Sequence, residues 1–90
     1  MGVTTSISGL VTDSHGQPVP GVIVKATWTE ERKNYQTITD NDGQYHMHHV
    51  KPGGPYTVTA NLSGYQAQPA NNVILQQGEN DVVNFELMPT

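Results

Sequence analysis

The chain has no cysteine, so neither a disulfide framework nor a thiolate zinc centre can hold it together. It has only four basic residues, Lys25, Arg32, Lys33 and Lys51, scattered along a chain of net charge −4. Nucleic-acid binders usually gather cations on one face, because phosphate contacts supply most of their affinity. Nucleic acid is therefore set aside as a partner. No apolar run approaches the roughly 20 residues that cross a bilayer, so no transmembrane segment is expected. No signal peptide is visible, and Met1-Gly2 reads as an added start on an excised domain. Helix signals are nearly missing. The best run, Glu30 to Lys33, is four residues long, too short to be a stable isolated helix. H-E-x-x-H, G-x-G-x-x-G, the P-loop and the G-x-S-x-G turn are all missing as well. No enzyme activity and no cofactor is expected.

What is present is strand signal. Thr4 to Thr12 alternates, with Ile7, Gly9 and Val11 on one face. Gly21 to Trp28 alternates more clearly: Val22, Val24, Ala26 and Trp28 point one way, Ile23, Lys25 and Thr27 the other. That period of two belongs to a sheet with one buried face. Asn34 to Thr39, Gln44 to His49, Tyr56 to Leu62, Asn71 to Gln76 and Asp81 to Leu87 extend the series. About seven short strands in one small domain predict an all-β sandwich. At 90 residues the chain is a single domain, 1–90, with one modest core.

The turns have their own chemistry. T-D-S-H-G-Q from Thr12 and T-D-N-D-G-Q from Thr39 share one pattern. An Asp there can accept from backbone two residues on, and the Gly tolerates positive φ, which predicts a type I turn closed by a left-handed glycine. Pro18 and Pro20 flank Val19 and cannot donate to a ladder, so an edge or loop is expected. Pro52-Gly53-Gly54-Pro55 is expected to be a second loop, and Pro69 marks an edge.

Asp40 to His49 gathers acids and histidines. With Tyr45 and Met47 inward, His46 and His48 share the outer face, a spacing that can hold a metal. No third ligand is marked: His49 points inward or sits in the loop, and Asp42 lies beyond the turn. A solvated strand face is the favoured reading, with His46 and His48 the sole metal candidates. D-N-D-G resembles the start of a calcium loop, but Gly43 follows Asp42 directly and His49 stands where that loop needs Glu. Asn61-Leu62-Ser63 matches a glycosylation sequon, though its plainer reading is a turn before Gly64. Tyr45, Tyr56 and Phe85 are assigned to the core. Trp28 and Tyr65, near strand ends, are the candidate surface for a sugar or protein partner. Ile23, Ile38, Ile74 and Val82 face outward and could form a docking surface.

Read together, these segments resemble a known family. S-I-S-G-L-V-T-D-S-H-G-Q-P-V-P-G-V-I-V resembles the opening of the carboxypeptidase regulatory-like domain, typically G-x-V-x-D-x-x-G-x-P-L-x-G-A-x-V. T-D-N-D-G-Q-Y from Thr39, G-G-P-Y-T-V from Gly53, Gly64-Tyr65 and the closing strand Val82 to Leu87 match its later signatures. The resemblance covers a core of about residues 5–88. It implies a seven-stranded Greek-key β-sandwich of transthyretin (prealbumin-like) type, accessory to a larger protein. V-K-P-G-G-P-Y-T-V-T with S-G-Y-Q-A-Q is most similar to the N-terminal domain of Oar-like TonB-dependent receptors. This implies a place on the periplasmic side of the envelope or outside the cell, with a plug and barrel or a catalytic domain as neighbour. The chain ends E-L-M-P-T, without the Y-R-G-S ending of the related hydrolases. Its first strand has no Lys for the isopeptide bond of Cna-B-type adhesin domains, and Lys25 faces outward on the next.

Overall fold

The alternating stretches become strands. The computed structural model describes residues 4–90, and the Met1-Gly2 start lies outside the described residues. The order is β1 (Ser6–Asp13), β2 (Ile23–Trp28), β3 (Lys33–Ile38), β4 (Gln44–Met47), β5 (Gly53–Asn61), β6 (Tyr65–Gln66), β7 (Ala70–Leu75), β8 (Asn80–Val82) and β9 (Phe85–Pro89). All the expected strands are among these, and no helix interrupts the described residues. The last expected strand is broken into β8 and β9, and β6 is added. The break has a local cause. Val83 N–H donates to the Ser8 carbonyl at 2.8 Å, and the Asn84 Oδ1 accepts from Leu10 N–H at 2.9 Å. The chain thus leaves the regular ladder for two residues and still satisfies β1.

Two sheets form. One runs β4-β1-β9-β6, with β8 also on β1; the other runs β3-β2-β5-β7. The β2–β3 hairpin lies in one sheet while its flanking strands β1 and β4 pair in the other, an antiparallel Greek-key arrangement. β9, by contrast, runs parallel to β1, with Val11 opposite Phe85 and Asp13 opposite Leu87.

The facing sides make the core. Ile7, Val11, Val22, Val24, Ala26, Tyr56, Val58 and Leu87 are fully buried, with Tyr45, Met47, Leu75 and Phe85 nearly so. Each such aliphatic side chain stabilises by about 1.5–3 kcal/mol relative to exposure. Gly9 sits where β1 passes Val83: a Cβ there would run into the Val83 carbonyl and stand 2.8 Å from the Tyr45 ring. That carbonyl also accepts from the Tyr45 hydroxyl.

The two T-D-x-x-G-Q turns form as read, side by side at one pole. Asp13 Oδ1 accepts from His15 and Gln17 N–H at 2.8 and 3.0 Å; Asp40 Oδ1 accepts from Asp42 and Gln44 at 2.9 and 3.0 Å. Gly16 and Gly43 close them at φ 79° and 73°. Glu30 to Arg32 lies in the turn at the far pole, where Arg32 N–H donates to Thr29 O at 3.1 Å.

One expectation fails. Gly53 to Pro55 is not a loop but the first part of β5, with Gly53 opposite Leu75. Glycines enter the ladder here through an irregular register, which the Pro-Gly composition does not reveal. Gly53 and Gly54 have φ 122° and 133°, and the register shifts before Tyr56. A Cβ on Gly53 would stand 2.6 Å from the Trp28 ring. Pro69 lies next to β7, the edge strand on that side. Pro18 and Val19 form a loop tied down by one bridge to Thr12 and by Val19 N–H donating to Val11 O at 3.0 Å.

Candidate functional site

Three places collect the residues singled out in the sequence. The first is β4. Tyr45 and Met47 are anchored in the core, which turns His46 and His48 to the outer face. The imidazoles stack with centroids 5.8 Å apart and 4° between planes. Ser8 of β1 lies opposite His46. His48 stands one residue past the strand, and His49, the next residue, does not join them: it is exposed, at φ 58°. Asp42 stays in its turn. Among the described residues, no three His, Cys, Asp or Glu side chains converge on one point.

The second place is the end of β2. Trp28 is half-buried, tilted against Tyr56 at 5.5 Å between centroids, with Lys51 Nζ 5.4 Å from its ring centre. Lys51 also pairs with Glu31 at 2.6 Å on the surface. Its backbone is pinned by two phenols: Tyr35 Oη accepts from its N–H at 3.0 Å, and Tyr56 donates to its carbonyl at 2.7 Å. Burial first, then the neighbouring Tyr35, pushes the Tyr56 phenol up to about 12. Beside Trp28 a groove of about 450 Å³ is lined by Glu30, Pro55, Thr57, Asn71 and Asn72. Trp28 stands out in the sequence as a candidate surface residue; Asn71 and Asn72 do not. The available signal was an Asn pair at the start of a strand, where Asn is disfavoured. Asn72 adopts φ 59°, a left-handed conformation that Asn tolerates better than most residues.

The third place is Tyr65, exposed beside a groove of about 370 Å³ shared with Ile23, Asn61 and Leu62. Tyr65 and Trp28 line separate grooves. The outward apolar residues are also dispersed. Ile23 and Ile38 are direct cross-strand partners, Ile74 lies on the opposite edge strand of that sheet, and Val82 belongs to the other sheet. All four are exposed, as expected.

The residues that shape this scaffold, from β1 through the two Asp-Gly turns to β9, match the carboxypeptidase regulatory-like domain over residues 6–88. The chain belongs to the carboxypeptidase regulatory-like domain family. Solved structures show the same fold at low identity. The Bacillus anthracis TIE protein superposes with a TM-score of 0.75 at 15% identity, over 98% of this chain and 17% of that one. BcpA, the major pilin subunit of Bacillus cereus, gives 0.73 at 12%, over 98% of this chain and 31% of that one. The shaft pilin SpaA from Lactobacillus rhamnosus GG gives 0.68 at 12%, over 98% and 48%. The regulatory-like domain thus spans less than half of each of these proteins. It is a small β-sandwich of a non-catalytic domain type. No helix among its described residues is long and apolar enough to cross a membrane.

Proposed function

We propose that this domain is an accessory spacer and docking module of a cell-envelope protein, carried as the N-terminal periplasmic extension of a TonB-dependent outer-membrane receptor. One observation carries the spacer role: the first and last strands run parallel. Antiparallel terminal strands would return both chain ends to one pole. Parallel ones bring the chain in at the Ser6 end and out at the Pro89 end. Nine strand steps of about 3.3 Å separate those points, about 30 Å along the sandwich. A module threaded this way sits in series with its neighbours. The receptor assignment is supported by the likeness of V-K-P-G-G-P-Y-T-V-T and S-G-Y-Q-A-Q to the Oar-like version of the family. The test has two parts. The coding sequence after Thr90 should specify a plug and a barrel. In intact cells the domain should resist added protease until the outer membrane is permeabilised. Cleavage in intact cells would place it outside and defeat the periplasmic reading.

A second reading is an accessory or substrate-binding domain of a secreted carboxypeptidase or polysaccharide-degrading enzyme. The Trp28 groove favours it, since an indole beside asparagine amides suits a sugar or an extended peptide. Binding on a glycan or peptide array that is lost in N72A and W28F would support this reading. Silence across both arrays would remove it.

A further inference from the structure

We propose that the outer face of β4 is an open two-histidine chelate for a divalent first-row transition ion, with copper(II) its tightest occupant. The geometry is partly set before any ion arrives. Tyr45 is 1% and Met47 4% exposed, so the core holds the backbone on both sides of His46 and immediately before His48, which stands one residue past β4. The ladder to β1 fixes His46, with Ser8 opposite it and Ile7 opposite Met47, and beyond His48 the chain is tied to β1's approach by Val50 N–H donating to Thr5 O at 3.0 Å. The rings already share one face, parallel, with centroids 5.8 Å apart. An ion about 2.1 Å from one nitrogen of each ring needs those nitrogens roughly 3 to 3.5 Å apart. Turning one nitrogen of each exposed ring toward the other closes that gap without moving β4. Because β4 is an edge strand, no neighbouring strand stands on its far side to block access.

The donor set selects the ion class. Imidazole suits copper, nickel and zinc, and copper(II) binds tightest among the divalent first-row ions. Among the described residues no carboxylate converges on the pair, so calcium and magnesium, which need several oxygen ligands, do not fit. The Ser6 and Ser8 hydroxyls on the same face are already bonded to the Asn80 amide at 2.7 and 3.0 Å. Water fills the other positions. A structural zinc site takes four protein ligands, so this site holds an exchangeable ion and the fold does not depend on it.

The test uses the untagged domain, titrated with copper(II) by calorimetry and examined by electron paramagnetic resonance. The expected result is one copper per chain with nitrogen hyperfine structure from two imidazoles. H46Q and H48Q should each weaken binding by about tenfold or more, as removing even an outer-shell partner can. The double variant H15Q/H49Q should bind as the parent does, and zinc should bind more weakly than copper. Both substituted side chains are exposed, so unchanged melting curves will confirm folded variants. Unaltered copper affinity in H46Q or H48Q, or its loss in H15Q/H49Q, would overturn the assignment.

Discussion

Replacing Thr39 by valine tests why a threonine opens the second turn. Thr39 is 4% exposed at the end of β3. Its hydroxyl accepts from Val22 N–H at 2.9 Å and donates to the Val19 carbonyl at 2.8 Å. Its backbone adds two more bonds, N–H to Val22 O at 3.0 Å and O from Gly21 N–H at 3.1 Å. Valine keeps the shape and the backbone bonds but removes the hydroxyl. The Val22 N–H is then orphaned in a fully buried residue, which costs about 1–3 kcal/mol. The Val19 carbonyl is half-buried and nearer water, so its loss adds about 0.5–1.5 kcal/mol. The expected total is about 1.5–4.5 kcal/mol. For a domain this size each kcal/mol lowers Tm by roughly 4–8 °C, so T39V should melt at least about 6 °C lower. T39S keeps the hydroxyl and loses one methyl, which costs about 1 kcal/mol. Urea unfolding followed by Trp28 fluorescence, with calorimetry alongside, measures both. If T39V falls within about 0.5 kcal/mol of the parent, or proves more stable than T39S, the account of this turn is wrong.

Other outcomes follow from single contacts. G53A forces a methyl against the Trp28 ring at φ 122°, and overpacking plus backbone strain should cost about 2–5 kcal/mol in denaturant unfolding. Backbone donors from Gln17 and then His15 hold the Asp13 carboxyl below its usual 3.8. Its contribution is therefore present above pH 3.8 and fades as pH falls below it, so acid titrations of Tm should be shallower in D13N than in the parent. Burial raises the Tyr45 phenol beyond the ordinary tyrosine range and Tyr56 to about 12. That stability is complete below pH 10 and lost as pH climbs toward 12, so alkaline unfolding should coincide with late phenolate absorbance that Y45F and Y56F each reduce. The Lys51–Glu31 pair is exposed on both sides, and E31Q should leave the urea midpoint within experimental error of the parent.

Period-two alternation was enough to place Val22, Val24, Ala26, Tyr45, Met47, Tyr56 and Phe85 inward, and Ile23, Ile38, Ile74 and Val82 outward, because facing is a local property of an extended chain. The Asp-Gly turns were equally legible, since every bond they make lies within a few residues. Gly53 to Pro55 was misread because its place in β5 depends on Leu75 and on the Trp28 ring, neither near it in sequence. The Trp28 groove was half legible. The indole stood out, but Asn71 and Asn72 reach it only through the pairing of β5 with β7.

The opening absences had already ruled out a disulfide scaffold, a thiolate metal site, a helical fold and a basic nucleic-acid face. They left a β-sandwich whose core face could be written down residue by residue. Composition and periodicity do not say which strand lies beside which. That β9 lies parallel to β1, sending the chain out at the far pole, follows from contacts such as Leu10 to Asn84, separated by 74 positions. Closing so long a loop is governed by packing and entropy across the whole molecule, and no local pattern encodes it. The approach of the His46 and His48 rings to 5.8 Å is of the same kind. Alternation puts them on one face, and the side-chain torsions adopted in the folded molecule set how close they stand.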